Sequence, residues 1–340
     1  MTQIPFINNK TVVEATKPTM RYKDGEDFFA WQSAARQKLR ELLGIDEILK
    51  RKPESDGFKI EYEKKTEEYT EYRFTISSEE GYFFPSVMRV PTNVKTPIPL
   101  CITLQGHSTG MHISLGVPKF ANDPEMIAGG DRDFVTRALK EGFASVAIEQ
   151  RNFGECGGNE ETGAPQCIES SLTALLAGRT TIGERVVDTM AVIDAILKNF
   201  DFIDENKILL MGNSGGGTAT FYTAAIDERI ALAMPSCAVC TYKASIAAMH
   251  HCACNYIPNI AKFFDMGDIS GLIAPRPLVI VNGKDDVIFP NDGVLETYEI
   301  TKKLYIAADA SNNCALVTGP KGHRFYADLA WPVANNLLNK

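Results

Sequence analysis

Residues 207–222 read KILLMGNSGGGTATFY: an apolar run from Ile208 to Met211 breaks into a serine ringed by glycines, and apolar residues then resume. The run suits a buried strand, and the residues after Gly217 suit a helix. Gly212-Asn213-Ser214-Gly215-Gly216 matches G-x-S-x-G in the setting this motif requires, a strand passing through a sharp turn into a helix. Such a turn strains the serine and lifts its hydroxyl above the sheet, and glycines two before and two after leave room for it. The helix would aim its N-terminus at the site, so the Gly215 N–H can donate to an oxyanion and the helix dipole favours that charge. Nucleotide readings of the same glycines fail on residues. Gly212 to Gly217 is followed by Thr218 where a phosphate loop needs lysine, and G-x-G-x-x-G is missing here.

Working outward, short apolar strands alternate with helical stretches from about residue 98: PLCITLQ (99–105), FASVAIEQ (143–150), IALAMPS (230–236) and PLVIVNG (277–283), with a helix expected at 184–198. Continuous apolar strands separated by helices imply a mostly parallel sheet covered on both faces, an α/β fold. Upstream, Phe28, Trp31, Ala35, Leu39 and Leu42 lie at helical spacing, with Gly44 placed to close the helix in a left-handed conformation. EYTEYRFTISSEEGYFFPSVMRVP reads as an antiparallel edge turning at Glu79, Glu80 and Gly81. We therefore expect an N-terminal helical extension over 1–60 packed on the core, and a catalytic domain over 61–340 with an insertion near 237–270.

A serine hydroxyl needs a base to take its proton, and the base needs a carboxylate to hold its tautomer. The five histidines are His107, His112, His250, His251 and His323. In this fold the order is serine, acid, histidine, which removes His107 and His112 from the base role. NGKDDVIFP offers Asp285 and Asp286 at the carboxyl end of a strand, and the glycine-flanked loop after the last strand carries His323.

The hydrophobic content of 44 % over 340 residues allows a large core. A net charge of −8 offers no basic stripe for nucleic acid, so a small-molecule partner is expected, with self-association left open. No basic-then-apolar leader and no membrane-length apolar stretch occurs, and eight cysteines in so long a chain do not form a dense disulfide framework. The expectation is a cytoplasmic protein with reduced thiols and no membrane partner.

Together these residues resemble the α/β-hydrolase superfamily, and within it the bacterial acetyl xylan esterase and dienelactone hydrolase-like group. The likeness runs through AWQSAARQKLRELLG (30–44), LQGHS (104–108), DERIALAMPS (227–236), the long stretch from Asn255 to Pro290 and GHRFY (322–326). It implies a serine hydrolase acting on ester bonds. In such enzymes the acid stands three residues after the strand-end glycine, which selects Asp286 after Gly283. The family's second oxyanion N–H falls on His107 in Gln105-Gly106-His107, where Gln105 replaces the usual histidine. EQRNFGECGG keeps Arg151 and Gly154 of the carbohydrate acetyl esterase pattern but not its R-G-Q motif, and the elbow holds serine where dienelactone hydrolases proper use cysteine. The expected activity is thus a carboxylesterase for small acyl esters, acetyl above all, with carbohydrates as the alcohol class. The rivals are a peptidase or amidase using the same triad, and a hydrolase fold kept only for binding.

CAVCTYKASIAAMHHCACNYIP gathers Cys237, Cys240, His250, His251, Cys252 and Cys254, donors enough for a tetrahedral zinc site. Because C-x-x-C alone is a weak signal and cysteines are common small core residues, the segment is expected to pack around the pocket, with no metal and no cofactor. His250, His251 and Tyr256 are the candidates there for substrate contact. Arg151 has two readings, an ion pair with Glu149 or Asp188 that organises its loop, or substrate contact. Trp31 and Trp331 are read as core.

Overall fold

The computed structural model describes residues 4–92 and 94–338, so the first three and last two residues of the expected spans lie outside it. Nine strands form one sheet: β1 (Lys59–Lys65), β2 (Tyr69–Glu79), β3 (Tyr82–Pro91), β4 (Ile98–Leu104), β5 (Ala144–Ile148), β6 (Ile203–Asn213), β7 (Ile230–Ser236), β8 (Leu278–Gly283) and β9 (Cys314–Gly319). Their order across the sheet is β1-β2-β3-β5-β4-β6-β7-β8-β9. β1, β2 and β3 pair antiparallel, with the β2–β3 hairpin turning at Glu80–Gly81, and β3 joins β5 antiparallel. From β5 onward every pairing is parallel.

Helices α1 (Pro5–Ala15), α2 (Phe28–Leu43) and α3 (Ile45–Leu49) precede the sheet, and α4 (Asp123–Gly130) and α5 (Phe134–Lys140) join β4 to β5. α6 (Ile168–Leu176) and α7 (Thr181–Asn199) lead to β6, α8 (Gly215–Ile226) follows it, and α9 (Ile260–Phe263) and α10 (Met266–Ser270) precede β8. α11 (Asn291–Ala307) and α12 (Ala327–Leu338) flank the last strand. No helix among the described residues is long and apolar enough to cross a membrane.

The two-residue period of a strand sorts its side chains onto opposite faces. Ile208 and Leu210 of β6 join the core under α2, α7 and α8, whereas Leu209 and Met211 join the core under α5 and α12. α2 fits the first face because Asp27 caps its N-terminus, accepting from the Ala30 N–H, and Gly44 ends it at φ 72°. Its stripe buries Phe28, Trp31, Gln32, Ala35, Leu39 and Leu43; Leu43, not Leu42, completes the stripe. Trp331 is fully buried in the second core, and Trp31 is buried in the first.

The strand order places the site. After β4 the chain moves outward to β5 and then returns to the other side of β4 to lay down β6, so the carboxyl ends of β4 and β6 flank the point where the order reverses. Open α/β sheets bind ligands at such a crevice, and both the Gln105–His107 loop and Ser214 emerge there.

Candidate active site

Ser214 sits between β6 and α8 at φ 57° and ψ −125°, a strained conformation for a residue with a Cβ. Neighbours fix it there: its N–H donates to the Ser236 carbonyl at 2.8 Å, and its own carbonyl accepts from the Thr218 N–H at 2.8 Å. The close approach explains two glycines. A Cβ on Gly216 would overlap the Leu104 carbonyl, and one on Gly106 would lie 2.6 Å from the Asn213 carbonyl oxygen and 2.8 Å from the Ser214 Cβ. The loop carrying Gly106 and His107 therefore lies directly against the elbow. Gly215 opens α8, so its N–H is among those without an intrahelical acceptor.

The later loops bring Asp286 and His323 together. The ring Nδ1 of His323 donates to Asp286 Oδ2 at 2.8 Å, and Asp286 Oδ1 accepts from the Ile288 and Phe289 N–H groups at 2.8 and 3.1 Å. Burial pushes the Asp286 carboxyl up, but the His323 ring and those two N–H groups outweigh it and hold the pKa below the ordinary aspartate value. Phe289 stacks on the His323 ring at 6.0 Å between centroids. Asp285 is exposed, and Asp286 alone holds the histidine.

Ser214, Gly215, His107 and His323 line one cavity of about 300 Å³, together with Arg132, His250, His251, Cys252, Asn255, Ile288 and Phe289. Among the described residues no hydrogen bond joins the Ser214 hydroxyl to the His323 ring; in substrate-free enzymes such contacts are often long and tighten when substrate binds. Burial, with His250, His323 and His107 nearby, lowers the His251 pKa to about 4, which keeps that ring neutral at pH 7. Arg132 was not singled out by sequence. Its Nε is buried without a partner, it makes no ion pair among the described residues, and it lines the cavity beside His323. A lone arginine between two short helices carries no sequence motif, so only the fold reveals it.

Two expectations are corrected. Arg151 does not line the cavity: its guanidinium is buried between Asp188, at 2.8 and 3.0 Å, and Glu79, at 3.1 Å, and lies over the Tyr82 ring. Of its two readings the ion pair holds, with Asp188 and not Glu149. Tyr256 is also outside the cavity; it is 42 % exposed and faces a groove beside α1, while Asn255 takes the place beside the serine. The cysteine cluster divides. Burial pushes the Cys237 and Cys240 thiols up to about 12, as for inert core cysteines, whereas Cys252 reaches the cavity wall.

A mostly parallel sheet with a strained serine elbow at its switch point, followed by an acid and a histidine from later strand ends, defines an α/β hydrolase. The chain belongs to the Abhydrolase family, whose model matches residues 6–305. YtaP of Bacillus subtilis (strain 168), named as a hydrolase, is 27 % identical over 236 residues, covering 67 % of this chain and 75 % of its own. A Bacteroides fragilis protein named as an acetyl xylan esterase superposes with a TM-score of 0.78 at 17 % identity, over 98 % of this chain and 84 % of its own. A glucuronoyl esterase from Solibacter usitatus gives 0.68 at 14 % identity, over 96 % and 97 %. At these identities the structural likeness speaks for the fold alone.

Proposed function

We propose that the protein is a serine carboxylesterase working through an acyl-enzyme on Ser214. The observation that carries this reading is the convergence of a strained Ser214 and the Asp286–His323 pair on one cavity. His323 takes the hydroxyl proton as Ser214 attacks the ester carbonyl, and Asp286 holds the ring in the tautomer whose outer nitrogen accepts that proton. The N–H groups of Gly215 and His107 receive the oxyanion, and the dipole of α8 adds to them. The alcohol leaves with the proton from His323. Water, deprotonated by the same ring, then releases the acid and restores the serine.

The cavity is at the small end for ligand pockets, which suits a short acyl group such as acetyl. Its lining of four histidines, Asn255 and Arg132 suits an oxygen-rich alcohol, and the names of the structural neighbours support a carbohydrate ester. The eight free thiols suit a reducing compartment, which supports a cytoplasmic setting. Rates on p-nitrophenyl esters of increasing chain length, on acetylated xylo-oligosaccharides and on aminoacyl amides test the proposal. Acetyl esters should be turned over fastest; amide turnover exceeding that of every ester would replace this reading with an amidase.

A further inference from the structure

Three thiols and one imidazole converge beside the cavity from segments far apart in the chain. His107 follows β4, Cys167 immediately precedes α6, and Cys252 and Cys254 lie at the short turn Ala253–Asn255. One ligand atom from each of the four lies within 4.8 Å of all the others. His107 Nε2 is 3.3 Å from Cys254 Sγ and 3.9 Å from Cys167 Sγ. Around a tetrahedral zinc ion with bonds of about 2.3 Å to sulfur and about 2.0–2.1 Å to nitrogen, the sulfur–nitrogen edge is roughly 3.6 Å. The two observed distances straddle it.

We infer that His107, Cys167, Cys252 and Cys254 form a structural zinc site that clips the loop over the serine elbow to the wall of the cavity. A donor set of three sulfurs and one imidazole nitrogen suits tetrahedral Zn²⁺, and four protein donors leave no open position for a reacting group. Binding releases the three thiol protons, so the ion with three thiolates and a neutral imidazole carries one net negative charge. Arg185 stands ready to offset it: its Nη1 donates toward Cys254 Sγ at 3.7 Å. The same guanidinium lies 4.2 Å over the Phe153 ring, which meets the His107 ring edge-on at 4.9 Å. Cys167 and Cys254 are buried against Phe153, whereas His107 and Cys252 reach the cavity. A disulfide would use only two of the three sulfurs and leave the inward-facing Nε2 without a role.

The ion would fix the side chain of the residue whose backbone N–H serves the oxyanion. That consequence rests on the esterase reading; the binding of zinc does not. The test is metal analysis and thiol titration of protein purified without chelator in zinc-supplemented buffer. About one zinc per chain is expected. Cys167→Ser, Cys252→Ser and Cys254→Ser should each remove most of it, whereas Cys237→Ser and Cys240→Ser should leave it in place. Cobalt(II) in place of zinc should give the visible absorption of a tetrahedral thiolate site in the wild type and lose it in Cys252→Ser. Ser214→Ala should keep the metal while losing esterase activity, which separates the two proposals. A metal-free wild type, whether with all its thiols free or with two of them oxidised to a disulfide, would overturn the inference. So would zinc content that the three substitutions leave unchanged.

Discussion

Asp286 and Asp285 are neighbours with opposite fates, decided by which side of the loop each faces. Asp286 turns inward under two backbone N–H groups and the His323 ring, and Asp285 turns to water. Asp286→Asn keeps the shape but lets the amide donate to Nδ1, favouring the wrong histidine tautomer. We expect kcat to fall by roughly 10⁴ with KM little changed, measured by steady-state turnover of an acetyl ester. Arg132 brings to the cavity a cation that makes no ion pair among the described residues, with its Nε buried and unpartnered there. Arg132→Ala should raise KM for acetylated sugars by roughly tenfold, since hydrogen bonds to charged groups are worth about 1.5–3 kcal/mol; an unchanged KM on sugar esters would remove it from the binding site. Ser214, Asp286 and His323 were legible because each sits in a local pattern tied to a strand end. Arg151, Tyr256 and Arg132 were not, because whether an isolated side chain faces a cavity depends on partners such as Asp188 that lie far off in sequence.

At the scale of elements, the loop after β4 is held from beneath by Glu149 at the end of β5. Its carboxylate accepts from the Gln105 side chain at 2.9 Å and from the Met111 N–H at 3.0 Å, so it braces both ends of the segment bearing His107. Burial raises the Glu149 pKa from 4.5 to about 8, with the Met111 and Glu155 N–H groups opposing it. Between those values the native chain keeps a proton that the unfolded chain has released. Its contribution to stability therefore falls as pH rises through that window and levels off above it. Glu149→Gln should flatten that part of the profile in urea unfolding measured from pH 5 to 9; parallel profiles for the two proteins would show that Glu149 does not titrate there. The strands themselves were legible from apolar runs, and the end of α2 from Gly44. The role of Glu149 was not: sequence offered it as a partner for Arg151, and only the fold turns it toward Gln105 and Met111.

At the scale of the whole molecule, the alternation of strand and helix announced a parallel sheet, and β2–β3 announced an antiparallel edge. What sequence could not supply was the strand order, and the order brings His107, Cys167 and the 252–254 segment side by side. A metal search confined to the contiguous cluster between Cys237 and Cys254 counts donors that the fold separates and misses two that it adds. The same folding back unites the elbow with the Asp286–His323 pair across the switch point. Active-site labelling with a fluorophosphonate followed by peptide mass analysis tests that union most directly. We expect a single adduct on Ser214, absent in Ser214→Ala and formed much more slowly in variants of His323. An unlabelled Ser214 in well-folded protein, or equal labelling rates with and without His323, would contradict it.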